Sequence, residues 1–229
     1  MSDQIENESP VGKVAPVVVL LFCVIVGVEL VFTLAAQGII GGKMGIGWRL
    51  AAVQDYGLPG PLVSWMWENG RWPTSELARF VTYPFIHGSF TQMLFAGVIT
   101  LALGKFVGDS FNALAVLVVF FVSCIVGGLA WGLLSGDKSY LIGAYPGAYG
   151  LIGAFSYMLW LRLGQLGDNQ LKAFKLIGVL LAIQLVLGLA FGMGTTWIAE
   201  LAGFATGFVV SFLVSPGGYA RLRARIQRS

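Results

Sequence analysis

The segment Gly143–Gly153, reading GAYPGAYGLIG, decides how the rest of the chain is read. A short polar connection precedes it and a strongly apolar run follows it, so a helix begins there. Gly143, Gly147 and Gly150 recur at steps of four and three, and Ala144 and Ala148 widen the same bare stripe. Residues at that spacing share one helical face. In lipid, helices associate through close van der Waals packing, and a face of small residues lets a neighbour approach closely.

The composition agrees with a lipid environment. Of 229 residues, 57% are hydrophobic and only 11% are charged, against about 25% charged in a soluble domain. The expected class is an all-α integral membrane protein. The net charge is +3 and no basic block precedes the C-terminal tail, which excludes nucleic acid as a partner. Cys23 and Cys124 both fall in apolar runs and form no CxxC pair, so neither a disulfide framework nor a zinc site is expected. His87 is the single histidine. No metal and no cofactor are expected.

Six apolar runs follow one another: Ala15–Ile40, a run from about Ser89 to Lys105, Asn112–Leu134, Ala144–Leu161, Leu176–Met193 and Trp197–Val214. Each approaches the roughly 20 residues that cross a bilayer. Residues 1–14 read as a polar N-terminal tail, 15–216 as one six-helix membrane domain, and 217–229 as a basic tail. Gly41–Arg79 holds four of the seven tryptophans, Trp48, Trp65, Trp67 and Trp72. Tryptophan favours the membrane interface, so this first loop is expected to lie on the membrane as short amphipathic helices. Six spans put both termini on one side. That side carries nine Lys and Arg residues (Lys13, Lys105, Arg162, Lys172, Lys175, Arg221, Arg223, Arg225, Arg228), and the other side five (Lys43, Arg49, Arg71, Arg79, Lys138). The positive-inside bias then places both termini in the cytoplasm, with the bacterial inner membrane as the expected location.

Two acids fall at membrane depth. Glu29 interrupts the first run, and Glu200 lies one turn before the Gly203–Gly207 pair of the last. Buried acids in lipid need a partner, a proton or water, which makes them functional candidates. For Glu29 a folding role is expected. For Glu200 a folding role and a functional one weigh equally.

From Arg79 to about Val214 the sequence resembles the rhomboid family of intramembrane serine proteases. Phe85-Ile86-His87-Gly88-Ser89-Phe90 matches the phrase that opens the family's second helix. Gly143, Ala144, Tyr149, Gly150, Leu151 and Gly153 match the opening of its fourth, and Ala199, Leu201, Gly203, Phe204, Gly207 and Phe208 match its sixth. The resemblance implies a six-helix core with a membrane-associated first loop. It also implies a serine on helix 4 and a histidine on helix 6, and here the sequence departs. The serine position falls on Tyr145, or on Pro146 if the register slides by one, and the histidine position is Glu200. The second histidine of helix 2, which helps polarise the scissile carbonyl, becomes Gln92, and its asparagine partner becomes Ala96. Ser156 is too deep and Ser89 has no evident oxyanion partner, so no other dyad is apparent.

The resulting expectation is an inactive rhomboid, with His87, Gln92, Tyr145 and Glu200 around the remnant cavity and Gly143, Gly147, Gly150, Gly203 and Gly207 packing helix 4 on helix 6. Tyr145 is expected to hydrogen-bond Glu200, with Gln92 as a further donor, and so to plug the cavity. His87 is expected to be structural. The resemblance further implies binding of transmembrane helices of client or complex-partner proteins. An active intramembrane endopeptidase, a fixed accessory subunit of a membrane complex, and a small transporter using Glu29 and Glu200 are the alternatives.

Overall fold

The structure is a computed structural model and describes residues 14–191 and 194–215. The two tails, apart from Val14, and the expected end of the fifth run at Met193 lie outside these residues. The described chain is mostly helical. Its six long helices are α1 (Pro16–Ala36), α2 (Phe90–Ser110), α3 (Ala113–Leu134), α4 (Tyr145–Gln165), α5 (Lys175–Phe191) and α6 (Trp197–Val214). Among the described residues α1, α2, α3 and α6 are long and apolar enough to cross a membrane.

Local chemistry starts each helix where it does. Ser89 Oγ accepts from the Gln92 N–H (3.2 Å) at the head of α2, and Asn112 Oδ1 accepts from Ala115 N–H (2.8 Å) at the head of α3. Such caps satisfy amides that have no intrahelical acceptor. Pro16 and Pro146 occupy first turns, where the missing N–H is no loss. Three expected helix ends shift. α1 stops at Ala36 rather than Ile40, α2 runs on to Ser110 past Lys105, and α4 runs on to Gln165 rather than Leu161. The polar loop expected after α4 is therefore shorter, and a 3-10 turn at Gln170–Phe174 occupies part of it.

The first loop folds as the short helices Gly42–Gly45, Trp48–Tyr56, Gly60–Asn69, Thr74–Leu77 and Arg79–Thr82. Its four tryptophans are all well exposed, as interfacial rings require. Between the helices, β1 (Leu58–Pro59) pairs antiparallel with β2 (Tyr140–Leu141), just before α4. Nothing in the apolar periodicity announces this link, because two residues carry no pattern. It fastens the first loop to the segment that introduces the site. Arg79 reinforces it by donating to the Gln54 and Gly57 carbonyls, both at 2.8 Å.

The core lies between α3, α4 and α6, around fully buried Trp131, Phe120, Leu151 and Ala199. Here the glycines matter one by one. A methyl group on Gly207 would strike the Gly150 backbone, one on Gly203 the Pro146 backbone, and one on Gly153 the backbone of Phe204 and Phe208. Thus α4 and α6 touch main chain to main chain. Two of the expected packing glycines do something else. Gly147 faces Phe120 and Cys124 of α3 rather than α6. Gly143 is not helical at all: its φ is +100° and its N–H donates to the Tyr83 carbonyl (3.0 Å). It makes the turn between β2 and α4, a conformation that side chains with a Cβ disfavour.

Candidate functional site

The turn at Gly143 aims the first residues of α4 at the first turns of α2 and α6. Between them lies a cavity of about 100 Å³ lined by Gln92, Leu141, Ile142, Tyr145, Pro146, Thr196 and Glu200. Gln92 reaches it from α2, and its Oε1 accepts from the Gly88 N–H (2.8 Å). Tyr145 is half-buried, and Pro146 is buried against Gly203. Both residues at the uncertain position therefore border the same space.

The expected Tyr145–Glu200 hydrogen bond is absent among the described residues. Glu200 Oε2 instead accepts from Gln184 Nε2 of α5. The same Nε2 donates to the Tyr149 hydroxyl (2.9 Å), one turn deeper on α4, and that hydroxyl lies beside the Glu200 carboxylate. The physical reason is register: Tyr149 sits a turn below Tyr145 on the same side of α4, level with α5. The two rings stand edge to face, 6.5 Å apart. With Tyr145 unbonded to Glu200, the cavity is not plugged. Gln184 was missed from sequence, although a signal existed: it is the single polar side chain between Lys175 and Thr195.

His87 does not line the cavity. It is fully buried behind it, where Nε2 accepts from the Ala144 N–H (3.3 Å) at the start of α4. Nδ1 has no hydrogen-bond partner among the described residues. Burial pushes the imidazole down to about 4, more than Glu29 raises it. A neutral ring with an accepting Nε2 suits that position. The His87 carbonyl accepts from Arg49 Nη1.

Arg49 also forms a two-pronged pair with Glu29, Nη1 to Oε2 at 2.7 Å and Nη2 to Oε1 at 2.8 Å. Thr33 Oγ1 donates to Glu29 Oε1 as well (3.2 Å), and the Phe32 ring sits 5.4 Å from the guanidinium carbon. Glu29 is fully buried, whereas the Arg49 side chain keeps a quarter of its surface exposed. One chain of contacts thus links α1, the first loop, the start of α2 and the start of α4. On the opposite rim, Trp131 Nε1–H donates to Thr195 Oγ1 (2.9 Å), which donates to Asp137 Oδ2 (3.0 Å).

No serine hydroxyl meets a base among the described residues. Ser156 Oγ and Ser123 Oγ are buried without partners, and Ser89 Oγ caps α2.

The site and fold define a helical membrane protein with a small cavity between the first turns of α2, α4 and α6 that holds a carboxylate. Residues 74–217 match the family model for the Rhomboid domain. The chain belongs to the rhomboid family. A search of curated proteins finds no match.

Proposed function

We propose that this rhomboid-family chain is a catalytically inactive member that works by binding transmembrane segments of other proteins. The observation that carries the reading is the chemistry of the cavity. A phenol and a proline stand where the family uses a nucleophile, and a carboxylate stands where it uses an imidazole. The phenol is not bonded to the carboxylate, so no activated nucleophile results. The orphaned hydroxyls of Ser123 and Ser156 support the same reading, since a nucleophilic serine needs a base within hydrogen-bond reach.

We infer six membrane spans, counting α4 and α5. At 1.5 Å per residue the 21 residues of α4 reach about 30 Å, and the 17 described residues of α5 about 25 Å. The positive-inside bias supports cytoplasmic termini, with the cavity opening on the other side of the bacterial inner membrane. A client helix would lie against the exposed apolar side chains Phe95 and Val98 of α2 and Val186 of α5. Pairing of Glu29 with Arg49 argues against a transporter that uses both acids.

The test has two arms. Purified protein is incubated with a rhomboid substrate and a fluorophosphonate probe. No cleavage and no serine labelling are expected, and labelling lost in a Ser→Ala variant overturns inactivity. In the second arm a photo-crosslinker replaces Val98 or Val186, with Leu20 of α1 as control. Crosslinks to membrane proteins are expected at the first two positions. Equal or stronger crosslinking at Leu20 overturns the binding surface.

A further inference from the structure

The cavity is lined by a carboxylate whose partners among the described residues are all neutral. Glu200 lines it with a carboxylate held at one oxygen by a neutral amide. The Oε1 of that same amide, on Gln184, is buried with no partner. The Tyr145 phenol adds a further oxygen. On the donor side stand the Gln92 amide nitrogen and the Thr196 and Tyr145 hydroxyls, with the Tyr149 hydroxyl beside the carboxylate, and all of these groups are neutral. Among the described residues no lysine, arginine or histidine lines the space. Glu200 also has no cationic partner among the described residues. A buried carboxylate without a cation is unfavourable, and it draws a counter-charge when one can reach it.

We propose that this cavity receives a primary ammonium group, held by Glu200 against the Tyr145 wall. An ammonium brings the positive charge that the lining lacks and three donors for the Glu200 carboxylate and the oxygens beside it. Its compact charge fits about 100 Å³. The phenol face of Tyr145 offers further attraction for a cation. A guanidinium, with five donors in a rigid fork, would leave several unsatisfied. The group could come from a lysine side chain or from an ethanolamine lipid headgroup. This inference goes beyond the client-binding reading and stands whether or not the chain cleaves peptides.

The experiment places the full chain in phosphatidylcholine nanodiscs and titrates n-propylammonium, followed by saturation-transfer NMR. Saturable binding is expected, at least tenfold weaker in Glu200→Gln and retained in Glu200→Asp. Neither n-propanol nor tetramethylammonium should compete, because one lacks the charge and the other the donors. Equal competition by n-propanol, or undiminished binding by Glu200→Gln, overturns the proposal. If Glu200→Gln does not fold, the n-propanol competition on the parent chain decides alone. Two further arms identify the source. Nα-acetyl-lysine amide should compete in phosphatidylcholine discs if the group is a lysine. Discs of phosphatidylethanolamine should weaken n-propylammonium binding at least tenfold if it is a headgroup. Competition by neither, with n-propylammonium still bound, leaves a free small amine as the ligand.

Discussion

Glu29 and Glu200 are both buried acids in long apolar helices, and they meet their burial in opposite ways. Glu29 finds an internal cation: Arg49 reaches it from the first loop with both guanidinium nitrogens. Glu200 finds a neutral amide, and one face of it stays open to the cavity. Glu29 is thereby spent on structure, because Arg49 also grips the His87 carbonyl and His87 in turn accepts from Ala144. Glu200 keeps unused acceptor capacity. A carboxylate's availability is set by its partners and not by its depth.

The largest test removes the platform beneath Glu200. Gly207→Val forces a branched side chain into the Gly150 backbone, with no flexible atom to give way. Overpacking of this kind should destabilise by more than about 3 kcal/mol, read by steric trapping in bicelles. A stable variant would show that α4 and α6 can separate without harm.

Next comes the Glu29 side. Arg49→Met leaves a buried carboxylate without its cation and should lose about 3 kcal/mol, at the low end for breaking such a pair because Arg49 is partly exposed. Adding Glu29→Met should return most of that stability, since two apolar side chains need no counter-charge. No recovery in the double variant would mean that Arg49 acts mainly through the His87 carbonyl.

The third prediction concerns pH. His87 ionises near 6.5 when unfolded and near 4 in the fold. Between those values the unfolded chain binds more protons, so stability falls as pH falls. The contribution is fully present above 6.5 and lost as pH drops through 4. From pH 7.5 to 5 the loss should be roughly 2 kcal/mol, and His87→Gln should flatten that slope. A parent chain with no loss over this range would place the imidazole in contact with water.

The smallest effect belongs to Glu200→Gln. With no cation to strand, the change should shift stability by less than about 1 kcal/mol. A loss as large as that of Arg49→Met would erase the contrast and show that Glu200 carries a hidden ion pair.

The helices were legible because apolar runs bounded by Ser89, Asn112, Pro146 and the glycines state their own limits. α6 falls on Trp197–Val214 as read. The family was legible too, since its three motifs sit on long helices. The site was legible as a set of positions but not as a set of bonds. Sequence spacing placed Tyr145 and Glu200 at one level. The helix register instead puts Tyr149 and Gln184 beside the carboxylate. No pattern in a single chain states which turn of α5 faces which turn of α6.

What the sequence by itself determined is therefore periodic or compositional: an apolar helical chain, most of its helix limits, and its small-residue faces. Only the tertiary structure decided the pairings between segments far apart in the chain: Glu29 with Arg49, His87 with Ala144, Gln184 with Glu200, and Leu58–Pro59 with Tyr140–Leu141. The physical reason is that burial and helix formation depend on nearest neighbours along the chain. A hydrogen bond between helices depends on their relative rotation, and that is set by how closely glycines such as Gly150 and Gly207 let two backbones meet.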